Sequence, residues 1–121
     1  VDVVTYADDY GTQKSQLISP AMFRKQLKPL VRQIFTLQKE LAPQAKRFFH
    51  SDGNVRPLIP DFIEIGVDIL NPFQVNCTGM DTKEIKKLWG KDLTIWGGSC
   101  DTQYVLRFGT RGIQQRRLFR A

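Results

Sequence analysis

The feature that most limits the fold of this chain is an alternation of short apolar runs with longer amphipathic segments. Four short runs, each followed by turn residues, occupy positions 1–6, 46–50, 67–70 and 93–96. Short uninterrupted apolar runs are typical of parallel strands that are buried on both faces. Strands that alternate with helices predict a parallel sheet joined by right-handed crossovers. The chain is therefore predicted to be an α/β protein with the order βαβαβαβ.

Three amphipathic segments fill the intervals between these strands. The first begins at Ser19-Pro20, a capping side chain before a proline, and Pro29 is expected to kink or split it. Its apolar side chains recur at steps of three and four residues, which predicts one buried face formed by Phe23, Leu27, Leu30, Val31, Ile34, Leu37 and Leu41. The second segment covers 57–65, and the third begins at a capping box that opens with Asp81.

The distribution of charge argues against a nucleic-acid-binding surface on the body of the chain. The 121 residues carry a net charge of +6. Residues 111–121 contribute four arginines and no acid, which leaves the other residues with a balance of only +2. We expect a solvated basic tail over 111–121 and no nucleic-acid partner; the alternative is that this tail binds RNA or phosphate.

The sequence also indicates the cellular compartment in which the protein is expected. No apolar run approaches the roughly 20 residues that span a bilayer, and the N-terminus has no signal-peptide pattern. The two cysteines, Cys77 and Cys100, are too few for a disulfide framework. We expect a cytoplasmic protein without a membrane partner. The opening in mid-strand, without Met, suggests a piece cut from a longer chain.

Polar side chains collect directly after each predicted strand. In parallel α/β proteins the ligand site lies beyond the carboxyl ends of the strands. Ionisable groups there need partners to offset their desolvation, so they point to a site. The residues assigned to catalysis are Asp8, Asp9, Tyr10, His50, Asp52 and Asp101, and those assigned to substrate binding are Asn71 and Gln74. The alternative is that these residues cap the following helices and loops.

His50 is the one histidine of the chain, and it lies two residues before Asp52. Alternate residues of an extended segment share a face, so both side chains point to the same side. Such a pair can polarise each other for proton transfer or share a divalent metal such as zinc. Cys77 is a candidate third ligand, or else a small buried apolar residue.

Motifs of several other enzyme classes are missing from the sequence. It contains no glycine-rich dinucleotide loop, no phosphate-cradling loop with Lys-Ser/Thr, no nucleophile elbow and no Cys-x-x-Cys pair. Gly97-Gly98 is too short for a phosphate loop and is expected where backbone segments approach closely at the rim of the sheet.

An ordered set of motifs runs through the chain: ADDYGTQ at 7–13, LISP at 17–20, FHSDGN at 49–54, LIPD at 58–61, IGVDILNP at 65–72, GMD at 79–81, WGG at 96–98 and FGT at 108–110. Together these segments resemble the uroporphyrinogen decarboxylase superfamily over residues 1–110, whereas 111–121 departs from the family pattern. The resemblance implies a (β/α)8 barrel. A complete barrel has roughly 250 residues, so this chain supplies about half of one, in four βα units.

The resemblance implies two chemistries for the parent enzyme. One branch decarboxylates a tetrapyrrole without a cofactor, and the other transfers methyl groups between a corrinoid and a thiol with zinc. In the methyltransferase branch the second strand ends in a zinc-binding His-x-Cys, whereas here His50 is followed by Asp52. The decarboxylase branch lacks a histidine on that strand, and its arginines and key aspartate would precede Val1. A catalytically inactive fragment is the remaining alternative.

Half a barrel would leave two sheet edges and apolar helix faces uncovered. Uncovered edges and large apolar patches are rarely tolerated in monomers. We therefore expect self-association, with two halves that approximate a closed barrel.

Overall fold

Four parallel strands form one sheet in the order in which they occur in the chain. Strand β1 (Val3–Ala7) pairs with β2 (Lys46–His50), β2 with β3 (Ile69–Asn71), and β3 with β4 (Thr94–Ile95). This computed structural model describes residues 1–98 and 100–112. The predicted α/β class with parallel strands is confirmed, and the order β1-β2-β3-β4 is the one that successive βα units produce.

The strand boundaries follow the pairing partners rather than the apolar runs. Strand β2 has the predicted limits, whereas β4 has two residues. Strand β3 begins at Ile69, and Asp68 just before it binds Arg47 through its side chain as well as its backbone. Its Oδ2 accepts from the backbone N–H of Arg47 at 2.8 Å and from Arg47 Nε at 2.9 Å. Burial alone would raise the pKa of the Asp68 carboxyl, but these bonds hold it below its usual value.

A long helical segment connects β1 to β2. It consists of α1 (Pro20–Met22), a π-helical turn (Phe23–Leu27) and α2 (Lys28–Leu41). Ser19 caps it as predicted, since its Oγ accepts from the N–H of Met22 at 3.1 Å. Pro29 does not break the helix. Its missing N–H and its ring disfavour the ordinary bond to the preceding turn, and the backbone widens there into the π turn.

Shorter helices follow the other strands. A 3₁₀ turn (Arg56–Leu58) leads into α3 (Ile59–Ile65), which ends at Gly66 in the left-handed conformation. Helix α4 (Thr82–Trp89) begins at Asp81, whose carboxylate accepts from the N–H of Glu84 at 2.9 Å. Helix α5 (Val105–Phe108) is one turn long. In the part of the chain that the structure describes, no helix is long and apolar enough to cross a membrane.

The core lies between one face of the sheet and helices α2 and α3. Its centre is Phe49, which is fully buried and contacts four other aromatic rings, those of Tyr6, Tyr10, Phe35 and Phe62. Large buried aromatic side chains supply most of the hydrophobic stabilisation of a small domain. The carboxyl ends of β1 and β2 therefore adjoin a layer of buried aromatic side chains.

Ion pairs fix α2 against α3. Asp61 is buried and accepts from Lys28 at 2.8 Å and from Arg24 at 3.0 Å. Glu64 pairs with Lys28 and with Arg32. Burial alone would raise the pKa of the Asp61 carboxyl, but hydrogen bonds from Arg24 and Lys28 hold it below its usual value. The carboxylate thus stays charged and paired at the helix contact.

The face of α2 that meets the sheet is narrower than its periodicity predicts. Val31 and Phe35 are buried, together with Phe23. Leu27 is partly buried, and the other four apolar residues of the predicted face are exposed by 38–77% of their surface: Leu30, Ile34, Leu37 and Leu41. The prediction of one buried face was therefore wrong for these four residues, because the helix carries two apolar stripes and only one of them contacts the sheet.

The opposite face of the sheet is also largely uncovered by the described residues. Val3 is 40% exposed and Trp96 is 58% exposed, and Phe48 lies half-buried against the Trp96 ring. Parallel sheets are almost always covered on both faces. The strands and helix α2 together thus present apolar surface on two sides.

Self-association of this chain stays a prediction. The exposed stripe of α2 and the uncovered face of the sheet are the surfaces on which to test it. Light scattering during gel filtration is expected to give a multiple of the 13.9 kDa chain mass. Replacement of Ile34 and Leu37 by lysine should shift the protein toward the monomer, because both side chains lie on the exposed stripe of α2. A monodisperse 13.9 kDa species for the unmodified chain would contradict the prediction.

Candidate functional site

Two loops at the carboxyl ends of β1 and β2 hold each other in place. The β1 loop covers residues 8–19 and the β2 loop covers 51–55. The backbone N–H of Tyr10 donates to Ser51 Oγ at 3.0 Å, and that of Asp52 donates to Asp9 Oδ1 at 2.9 Å. The N–H of Asn54 donates to the carbonyl of Thr12 at 2.7 Å. These bonds tie the two loops together and hold the side chains of Asp9 and Ser51.

The loops approach so closely that glycine is required on both sides. A Cβ at Gly11 would lie 2.6 Å from the carbonyl oxygen of Asp52. Gly53 has φ +84°, and a Cβ there would lie 2.6 Å from the backbone nitrogen of Thr12. Real Cβ atoms do not make such contacts, so both glycines serve backbone packing rather than phosphate binding.

His50 lies between two polar neighbours on adjacent strands. Its Nδ1 is 2.8 Å from Asn71 Oδ1, across the β2–β3 register that pairs these two residues. Its Nε2 is 4.0 Å from Asp52 Oδ2. The amide nitrogen of Asn71 donates to the carbonyl of Trp96 at 3.0 Å. The ring is thus held from one side and presents its other nitrogen to the Asp52 carboxylate.

Asp9 completes a group of three potential metal ligands. One ligand atom from each of Asp9, His50 and Asp52 lies within 4.8 Å of the others. Asp9 is exposed, and the side chains of His50 and Asp52 are 38% and 43% exposed. In the described part of the chain, neither carboxylate pairs with a lysine or arginine. The group combines one imidazole nitrogen with two carboxylates and is open to solvent.

The side chain of Gln74 forms a hydrogen bond with the backbone of the β2 loop. Its Oε1 accepts from the N–H of Gly53 at 2.8 Å and from the thiol of Cys77 at 3.4 Å. Burial raises the pKa of the Cys77 thiol, and the Asp52 carboxylate adds to the effect. The thiol therefore stays protonated, and Cys77 is not in the group of three. The third candidate ligand is Asp9 rather than Cys77.

The other residues assigned to the site from sequence have different surroundings. Tyr10 is 4% exposed, and its ring packs against Phe23, Phe49 and Phe62. Burial raises the pKa of its hydroxyl, so Tyr10 is a neutral core residue here. Asp101 accepts from the N–H groups of Gln103 and Tyr104 at 2.9 and 3.0 Å.

These surroundings support packing and capping rather than catalytic roles for Tyr10 and Asp101. Asp8 is exposed at the tip of β1, where its N–H extends the pairing to the carbonyl of His50 at 3.0 Å. Asp101 therefore acts as a cap of the following turn. The side chains of Asp9, His50, Asp52 and Asn71, by contrast, lie close together at the strand tips.

Sequence reasoning named Asp9 but did not place it next to His50. The signal was available, because parallel pairing of β1 with β2 sets Ala7 opposite His50 and brings the residues after each strand together. The role of Asn71 as the partner of the imidazole was missed as well, although β3 is the next strand of the same sheet.

No family model, curated protein or solved structure matches the chain.

Proposed function

We propose that Asp9, His50 and Asp52 form a zinc site, and that the chain is part of a (β/α)8-barrel enzyme of the uroporphyrinogen decarboxylase superfamily that uses this metal. The observation that carries the proposal is the group of three ligand atoms within 4.8 Å at the tips of adjacent parallel strands. This is the position where α/β proteins of this architecture bind their ligands.

The donor atoms suit zinc. Zinc accepts imidazole nitrogen and carboxylate oxygen, both at about 2.0–2.2 Å, and catalytic zinc sites keep one position open beside three protein ligands. The partial exposure of His50 and Asp52 leaves room for such a fourth ligand. Zinc bound there would act as a Lewis acid and lower the pKa of a coordinated water or thiol.

The local charge favours a cation over a polyanionic tetrapyrrole. Asp8, Asp9 and Asp52 lie at the two strand tips, and in the described residues neither Asp9 nor Asp52 pairs with a lysine or arginine. A substrate with several carboxylates needs basic groups, whereas two unpaired carboxylates attract a metal ion. The geometry therefore favours the zinc-dependent methyltransferase branch over cofactor-free decarboxylation, with a corrinoid-type substrate and a thiol.

The arrangement of the sheet supports the barrel part of the proposal. Four parallel strands follow one another in chain order, and helices α2 and α3 pack on one face. In a closed barrel the second face would line the interior, which fits the uncovered side that holds Phe48 and Trp96.

Metal analysis and calorimetry test the zinc site. The purified chain is expected to bind one zinc ion, and His50→Ala should lower the affinity by at least tenfold because it removes the only nitrogen ligand of the group. Asp92→Ala is the matched control, since it removes an exposed carboxylate that lies outside the group and should leave binding unchanged.

Asp52→Cys tests the same site through an expected increase in zinc affinity. A thiolate is a softer ligand that zinc prefers to a carboxylate, so this variant should bind zinc more tightly. A folded chain that takes up no zinc in either form would contradict the metal site and would favour the decarboxylase branch.

A further inference from the structure

We propose that Asn71 is a positioning residue that determines which ring nitrogen of His50 carries the proton. The inference deepens the proposed function, since its consequence for metal binding depends on the zinc site. Its starting point is the chain of two hydrogen bonds that links the tips of β2, β3 and β4.

The orientation of the Asn71 amide is fixed by its second partner. A backbone carbonyl can only accept a hydrogen bond, so the group 3.0 Å from the oxygen of Trp96 must be the amide nitrogen of Asn71. The amide oxygen then faces His50, where it lies 2.8 Å from Nδ1.

The amide oxygen of Asn71 in turn determines the tautomer of the His50 imidazole. Because an amide oxygen has no proton to donate, Nδ1 of His50 must be the donor in this bond. In the neutral ring the other nitrogen then carries the lone pair. That nitrogen, Nε2, is the one that faces Asp52 at 4.0 Å. Asn71 thus leaves a ligand atom, rather than an N–H group, pointing at the Asp52 carboxylate.

The bond between Asn71 and Nδ1 resembles the hydrogen bond that orients a metal-binding histidine in other proteins. Histidines that bind metals usually donate their second ring N–H to a carboxylate or carbonyl, and loss of that partner lowers metal affinity about 10–100-fold. Here the amide oxygen of Asn71 is the partner of Nδ1 and holds the His50 ring in its orientation.

Nitrogen NMR of the metal-free protein tests the inference directly. His50 is the one histidine of the chain, so a long-range ¹H–¹⁵N spectrum contains a single imidazole. When the ring is neutral, the unmodified protein should show a protonated Nδ1 and an unprotonated Nε2. Asn71→Leu should lose this preference and give a mixture of both tautomers.

Two further variants separate positioning from general damage to the fold. Asn71→Asp keeps an oxygen acceptor toward Nδ1 and should restore the Nδ1–H tautomer. Asn76→Leu makes the same kind of change elsewhere in the segment after β3 and should leave the imidazole signals unchanged.

The outcomes distinguish this inference from the zinc proposal. A protonated Nε2 in the unmodified metal-free protein would overturn the role of Asn71, whether or not zinc binds. An Nδ1–H tautomer in a protein that binds no zinc would uphold that role and contradict the metal site. If Asn71→Leu fails to fold, the spectrum of the unmodified protein still decides the tautomer. If the variant folds and zinc binds, its zinc affinity should fall about 10–100-fold.

Discussion

Gly53→Ala is expected to destabilise the protein by about 2–5 kcal/mol, because the new methyl group would occupy the place of the neighbouring loop. Gly53 has φ +84°, a conformation that side chains with a Cβ adopt at a cost. Its Cβ would also lie 2.6 Å from the nitrogen of Thr12 and 2.7 Å from the carbonyl oxygen of Gly11. Both contacts are to backbone, which cannot rotate away. Denaturant unfolding measures the loss, and zinc binding should decline with it.

Gly66→Ala separates the two causes. Gly66 has a similar φ of +98°, but the nearest atom to its Cβ would be Arg47 Nη1, at 3.5 Å on a flexible side chain. This variant should lose only the conformational part, about 1–2 kcal/mol. Equal losses for the two variants would show that the contact between the loops has no effect of its own.

Phe49→Ala is expected to cost about 3–5 kcal/mol of folding free energy, the range for removing a buried phenylalanine. The side chain is fully buried, and its ring centroid lies 4.8 Å from that of Phe62 and 5.5 Å from that of Tyr6. The cavity would open beneath the strand that carries His50. Denaturant unfolding with the slope held in common gives the difference in free energy.

Phe48→Ala is the matched control for this variant. Phe48 is the same residue type one position earlier on β2, but it points to the uncovered face and is only half-buried. Its removal should cost about 1 kcal/mol, since less apolar surface is exposed to water. If Phe48→Ala were the more harmful change, the described burial of β2 would be wrong.

The fold class could be predicted from sequence because each strand and helix carries its own local signal. Lys46–His50 was predicted with its correct limits, since turn residues begin directly after it at Ser51. Helix α2 shows what the local sequence cannot predict, namely which apolar side chains face the sheet. Its two apolar stripes have the same period, so nothing local could decide that Val31 and Phe35 face the sheet while Leu30 and Leu37 face solvent. That choice depends on where β1 and β2 lie.

The candidate site was predictable in part for the same reason. The spacing of His50 and Asp52 placed both on one side of an extended segment, and the structure brings their side chains to within 4.0 Å. Tyr10 could not be placed from sequence, because a residue just after a strand can turn toward the site or into the core. Here the Ser51 hydroxyl accepts from its N–H while its ring enters the aromatic layer.

The bonds between the two strand-tip loops have a consequence for how the protein acquires its site. The partners Tyr10 and Ser51 are 41 residues apart in sequence, and Asp9 and Asp52 are 43 apart. Contacts of such long range form only after the entropy of closing the intervening chain has been overcome, so they arise late relative to local helices. Helix α2 can begin to form on its own sequence, but the polar cluster cannot. A peptide that contains only β1 or only β2 therefore lacks the site entirely.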